Sequence, residues 1–224
     1  MYNFFVKDDC RQGDRYIITG ADHNHIKNVL RMKVGDTILI SANGKSDLCE
    51  IEIIDNDEIV APIIEEDYQN TELPLQIHLF QGLPKSDKME LIIQKAVELG
   101  VYSITPIEMK RCIVKLDDKK KKSKQTRWQA ISESAAKQSK RNTIPEINEI
   151  ISYKAALDAA KELDLLLVPY ENEDGILSTK EALATLKGVK SVGIIIGPEG
   201  GFDDGEIEAA KDAGGRIISL GKRI

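Results

Sequence analysis

The stretch "VGIIIGPEGGFDDGEIEAA", Val192 to Ala210, runs from an apolar β-branched segment into glycines and then into an acid-rich helical pattern. Strand, glycine turn, helix is the arrangement with which many α/β folds hold a phosphate at a helix N-terminus. Here the turn carries a carboxylate, Glu199, which a phosphate meets as a like charge. Asp203 and Glu206 have the spacing of a capping box, which satisfies the first free N–H groups of the helix internally. Gly197, Gly200 and Gly201 let the main chain approach a ligand and take positive φ where required. The turn therefore offers room beside a negative charge.

Two other apolar strands in the last third end the same way, "LLLVPYE" and "RIISLGKR". In open α/β sheets ligands bind beyond the carboxyl ends of the strands, so these three loops delimit the default pocket. A ligand bearing positive charge suits it. S-adenosylmethionine has a sulfonium, an ammonium and a flat adenine that fits apolar loop backbone. The alternative is a tight strand-to-helix turn with Glu199 pointing to solvent, and these residues alone leave both open.

Working outward, the chain after Pro74 alternates strand and helix patterns, the mark of α/β architecture. "LQIHLFQ" predicts a buried strand. "SDKMELIIQKAVELG" places Met89, Ile92, Ile93, Ala96 and Val97 on one helical stripe that stops at Gly100. A long helix is predicted from Ser123 to Arg141, with Trp128, Ile131 and Ala135 facing inward. Residues 1 to about 66 read differently, as short β-branched runs of a small β-barrel or sandwich. Asn43-Gly44 predicts a tight hairpin turn between two of them. "ADHNHIKNVLRM" predicts one helix with Asp22 as N-cap and Ile26, Val29 and Leu30 on one face. "EEDYQNTELP", Glu65 to Pro74, reads as a polar linker, so the domains are expected at 1–70 and 71–224. No internal repeat is found.

The net charge of −6 over 224 residues conceals an asymmetry. Lys110 to Arg141 holds twelve Lys or Arg against Asp117, Asp118 and Glu133, a local +9 that leaves −15 on the rest. One concentrated basic segment in an acidic chain points to a polyanion such as RNA or DNA. No apolar run approaches the roughly 18 residues of a membrane span. The start, "MYNFFVKDDCRQGDRY", lacks the apolar core of a secretory signal. Cys10, Cys49 and Cys112 are odd in number and far apart, which argues against a disulfide framework and for a reducing cytoplasm.

Other signals fail on spacing. "GKS" at Gly44 to Ser46 would need glycine at position 39 to end a P-loop, and Leu39 stands there, which disfavours an NTPase. His23 and His25 lie two apart and face different sides of a helix, so no metal is expected. No nucleophile elbow or Ser-His-Asp order occurs.

Four ordered motifs carry a resemblance: "HIKNVLRMKVGD", "KMELIIQKAVELGV", "RW" with "SESAAKQSKRNTIPEI", and "IGPEGGF" with "EIEAA" and "ISLGKRI". Over nearly the whole chain they resemble the RsmE family, which methylates N3 of one uridine in bacterial 16S ribosomal RNA. The resemblance implies a PUA-like β-barrel followed by a SPOUT α/β methyltransferase domain with a C-terminal trefoil knot, working as a homodimer. Connection rules derived from most folds argue against a knot, so only the resemblance supplies it. Carried over by motif, the cofactor residues are Val168, Pro169 and Tyr170; Gly197, Pro198, Glu199, Gly200 and Gly201; and Ser219, Leu220, Gly221, Lys222, Arg223 and Ile224. Family members continue with a Leu-Arg-Thr-Glu-Thr-Ala-like segment and a final helix, whereas this sequence stops at Ile224: either a tail follows or that segment is deleted, and deletion would affect knot closure, cofactor affinity and part of the dimer interface.

Uracil N3 gains a free lone pair when its imide proton leaves, and a sulfonium methyl needs no metal activation. Glu199 is the candidate to orient the methionyl end or accept that proton, and Arg223 to steady charge on uracil. Candidate RNA contacts are Arg31, Lys85, Lys88, Arg111, Arg127, Lys137, Lys140 and Arg141. The partner expected is 16S rRNA, within the small ribosomal subunit. The competing reading is a non-catalytic RNA-binding or assembly protein with a degenerate α/β domain.

Overall fold

A computed structural model describes residues 1–170, 179–180, 182, 184 and 187–220. The chain forms two units, Met1–Glu72 with Ser134–Ile144, and Leu73–Glu133 with Pro145–Ile224.

In the first unit the strands are β1 (Asn3–Phe5), β2 (Arg11–Gln12), β3 (Arg15–Thr19), β4 (Thr37–Ala42), β5 (Lys45–Glu50), β6 (Ile53–Ile54) and β7 (Glu58–Glu65). They pair in the order β1-β4-β5-β7-β3-β2, with β6 added to β7. Alternation decides which side is buried: Tyr16 and Ile18, Ile38 and Ile40, and Ile59 and Ala61 all enter one core with Phe4, Cys49 and Ile51. The β4–β5 hairpin turns at Asn43 and Gly44, both with positive φ of 51° and 76°, the backbone a two-residue turn demands.

The helix expected over Ala21–Met32 is corrected. Helix α1 covers only Gly20–Asn24 and its N-cap is Thr19, not Asp22. The chain continues as a π turn over His25–Val29, closed by Leu30 N–H donating to the His25 carbonyl at 2.8 Å. The wider winding breaks the expected face: Ile26 is fully buried while Val29 is 62% exposed. The segment read as a polar linker also does more than connect. Glu72 accepts from Arg141 Nε at 3.0 Å and Asn142 N at 2.8 Å, and Asn3 Nδ2 donates to the Arg141 carbonyl at 2.9 Å. These bonds place Ser134–Ile144 in the first unit.

The second unit contains β8 (Gln76–Gly82), α2 (Lys88–Glu98), β9 (Ser103–Glu108), α3 (Asp118–Ser139) up to Glu133, β10 (Glu146–Ile147), β11 (Ile151–Ser152), α4 (Tyr153–Ala160), β12 (Leu165–Pro169), β13 (Ser191–Ile196), α5 (Asp204–Asp212) and β14 (Arg216–Ile218). The sheet runs β10-β9-β8-β13-β12-β14, β11 also pairs with β9, and every pairing is parallel. Strands of such a sheet are covered on both faces, which is why Leu165 to Val168 are all buried and "LLLV" shows no alternation. Helix α2 buries Met89, Ile93 and Val97 at i, i+4 and i+8, and Gly100 ends the segment at φ 97°. Helix α3 begins at Asp118 and not at Ser123, because the Asp117 carboxylate accepts Lys120 N–H at 2.8 Å and nucleates the helix inside the lysine run. Its Trp128 is buried and Ile131 half-buried.

Candidate functional site

The parallel register brings the three strand ends to one edge. Strand β12 lies between β13 and β14, with Leu165 opposite Val192 and Pro169 opposite Ile218. The chain leaving these strands encloses a cavity lined by Pro169, Tyr170, Ile196, Gly197, Pro198, Gly201, Phe202, Ser219 and Leu220. Tyr170 N–H donates to the Ile218 carbonyl at 2.9 Å, which joins the first turn to the third. Gly201 N–H donates to the Pro198 carbonyl at 2.8 Å and closes the glycine turn. The Tyr170 and Phe202 rings meet edge to face at 6.3 Å.

The glycines of this turn do two different jobs. Gly201 has φ 68°, so there backbone conformation requires glycine. At Gly197 the reason is space: a Cβ would lie 3.2 Å from the Phe202 ring and 3.3 Å from the Gly201 carbonyl carbon. A Cβ on Gly200 would come 3.1 Å from Arg111 Cβ. The end of β8 is just as tightly applied, since a Cβ on Gly82 would stand 2.7 Å from Pro198 N.

Glu199 is not among the residues lining the cavity. Its carboxylate accepts from Lys88 Nζ at 2.8 Å and from Lys85 N–H at 3.2 and 3.3 Å. The Lys88 hydrogen bond above all, with main-chain donors, pushes its carboxyl down to about 2. A carboxylate that acidic is a weak base at neutral pH. The capping box at α5 is present: Asp203 accepts Gly205 N–H at 3.3 Å, and Glu206 accepts Asp203 N–H at 3.0 Å.

Residues 71–224 match the family model described as an RNA methyltransferase domain, and residues 18–64 match the RNA methyltransferase PUA domain. The ribosomal RNA small subunit methyltransferase E of Bacillus subtilis is 37% identical over 231 residues, covering 100% of this chain and 90% of the relative. This chain belongs to the ribosomal RNA small subunit methyltransferase E family. The family member from Mesomycoplasma hyopneumoniae is 38% identical over 225 residues, covering 100% of this chain and 92% of that one. A crystal structure of the methyltransferase E of Neisseria gonorrhoeae bound to S-adenosyl methionine superposes with a TM-score of 0.80 at 32% identity, over 100% of this chain and 90% of that one. The parallel sheet is thus that of an RNA methyltransferase α/β domain, and the PUA match falls within the first unit.

Within this methyltransferase E framework, the structure gathers Pro169, Tyr170, Gly197, Pro198, Gly201, Ser219 and Leu220 around one cavity, while Val168 is fully buried in β12 behind it. Gly221, Lys222, Arg223 and Ile224, and with them the closure of the expected knot, lie outside the described residues. Phe202 and Ile196 line the cavity and were missed; the signal for Phe202 was its place directly after the glycine pair.

The expected RNA contacts are divided between the two units. Arg31, Lys137, Lys140 and Arg141 lie in the first unit and Lys85, Lys88, Arg111 and Arg127 in the second. Arg141 is corrected: it is 5% exposed and its guanidinium is held by Glu72, so it has no free face for a phosphate. Arg127 pairs with Glu90 at 2.8 Å. Lys85, Lys88 and Arg111 converge on the glycine turn, the first two through Glu199 and Arg111 by donating to the Gly200 carbonyl at 3.0 Å. Among the described residues, no group of three or more His, Cys, Asp or Glu stands together for a metal, and no helix is long and apolar enough to cross a membrane.

The residues present fit S-adenosylmethionine. Prolines, Ile196, Phe202 and Leu220 offer flat apolar surface for an adenine. None of the described lining residues is a lysine or arginine, so none of these repels a sulfonium.

Proposed function

We propose that this chain is an S-adenosylmethionine-dependent methyltransferase that modifies N3 of one uridine in 16S ribosomal RNA. The observation that carries the proposal is the apolar cavity at three parallel strand ends, in a chain of this family. Pro169, Tyr170, Gly197, Pro198, Gly201, Phe202, Ser219 and Leu220 hold the donor, joined by Gly221, Lys222 and Ile224. Bound there, the donor supplies a methyl group made electrophilic by its sulfonium.

The chain's own contribution is alignment. The hydrogen-bonded turns fix the direction from which a uracil, extruded from its stack, must approach. With the imide proton passed to solvent water, the N3 electron pair would form the new N–C bond as the methyl–sulfur bond breaks and its electrons stay on sulfur, leaving a neutral thioether. The proton-acceptor role expected for Glu199 is replaced by a structural one: clamped by Lys88, it holds that lysine and the Lys85 loop beside the glycine turn. Charge on the uracil oxygens falls to Arg223 in this proposal, with Lys85, Lys88 and Arg111 supplying phosphate contacts close to the cavity. The chain works as a homodimer in the cytoplasm on rRNA within the small subunit. Family membership favours this catalytic reading over a non-catalytic assembly protein.

Small ribosomal subunits from cells lacking the gene, incubated with the protein and methyl-labelled S-adenosylmethionine, should gain a single N3-methyluridine by mass mapping. Bound cofactor with no label in 16S rRNA would overturn the assignment.

A further inference from the structure

Glu206 lies in α5, one turn past the cavity, and is nine-tenths buried. In an ordinary capping box the glutamate reaches back to the N-cap N–H and its second oxygen faces water. Here the second oxygen is used. Oε2 accepts Asp203 N–H at 3.0 Å, while Oε1 accepts Lys110 N–H at 2.8 Å, 96 residues away along the chain. The Glu206 carbonyl also accepts the Tyr153 hydroxyl at 2.7 Å, from the start of α4.

Lys110 and Arg111 follow β9 and touch the glycine loop at two more points. Lys110 Nζ pairs with Asp203 at 2.8 Å and Arg111 donates to the Gly200 carbonyl at 3.0 Å. The loop from Gly200 to Glu206 is therefore fastened at both ends to one two-residue segment. Between those fastenings lie Gly201 and Phe202, which form a wall of the cavity.

We propose that Glu206 is a positioning residue for cofactor binding: by joining Lys110 N–H to Asp203 N–H it fixes Gly201 and Phe202 in the donor-binding geometry. This rests on the reading of the cavity as the site of S-adenosylmethionine. It differs from a capping role in one chemical respect. Glutamine serves a capping box as well as glutamate does, because one acceptor suffices. At Glu206 two main-chain donors point at two oxygens, so the NH2 group of glutamine must face one of them.

The test is calorimetric titration of S-adenosylmethionine into the full chain, with single-turnover methyl transfer at saturating cofactor. Glu206→Gln is expected to weaken cofactor binding about tenfold or more, as when a buried donor loses its acceptor, and to leave the saturated transfer rate within about twofold of the parent by the same separation of binding from chemistry. Glu208→Ala, on the exposed side of the same helix, should change neither. If Glu206→Gln does not fold, Arg111→Ala removes the other fastening of the loop and is expected to weaken S-adenosylmethionine binding in the same titration. Parent-like affinity in folded Glu206→Gln, or in Arg111→Ala where the former does not fold, would overturn the positioning role. Absence of binding by the parent protein itself would instead overturn the functional reading.

Discussion

Two carboxylates, one in each unit, are held by a basic residue, and both have their acidity increased. Glu72 in the first unit and Arg141 are 19% and 6% exposed in their side chains, whereas Glu199 and Lys88 in the second are 33% and 60% exposed. Burial alone would raise the Glu72 carboxyl, but the hydrogen bond and charge of Arg141, with Asn142 and Thr143 N–H, lower it below its ordinary value. Glu199 reaches about 2 chiefly through Lys88 with little burial to oppose. The chemistry is the same and the consequence differs. A buried pair is structural because neither partner can return to water, while an exposed pair exchanges partners easily. In the proposed function Lys88 therefore exchanges its carboxylate for a phosphate, a role the burial of Arg141 does not suit.

The largest effect should come from breaking the buried pair. Arg141→Ala leaves Glu72 without its guanidinium and should destabilise the first unit by about 3–5 kcal/mol in denaturant titration. The same variant sharpens a pH argument. Because the folded Glu72 carboxyl is depressed, its contribution is complete above the unfolded value near 4.5 and is lost as pH falls through the folded one. Arg141→Ala should therefore show a shallower loss of stability below pH 4.5 than the parent. Unchanged stability with weakened RNA binding would reverse the structural assignment.

A middle-sized effect is expected at Gly197. The Cβ of Gly197→Ala must displace Phe202 or the Gly201 main chain, so S-adenosylmethionine affinity should fall about tenfold, the scale of a small overpacking strain. Gly44→Ala strains only a hairpin, at φ 76°, and should leave cofactor affinity unchanged. The smallest effect belongs to the exposed pair. Glu199→Gln should leave the melting temperature almost unmoved and the methyl-transfer rate close to that of the parent, since so acidic a carboxylate is a weak base at neutral pH. A collapse of turnover with cofactor still bound would restore a catalytic role to Glu199.

These contrasts also explain what could be read in the residues themselves. Apolar runs ending in "VPY", "GPEGG" and "SLG" located the cavity because strand ends and glycines are local features. Asn43-Gly44 announced its hairpin for the same reason. The π turn at His25–Val29 was illegible because its hydrogen-bond period differs from that of a helix while its composition does not. Arg141 was visible as a cation, but its partner Glu72 lies 69 residues away, and nothing local marks a charge as already taken. Glu206 was legible as a cap, while its second oxygen depended on a contact with Lys110 that only the packed sheet creates.

The most direct test is hydrogen exchange of the full chain with and without S-adenosylmethionine, followed by mass spectrometry. Protection should concentrate in peptides carrying Pro169–Tyr170, Gly197–Phe202 and Ser219–Leu220, the three turns that form the cavity. Protection confined to the first unit, or to strands β8 and β9 with these turns unchanged, would contradict the account.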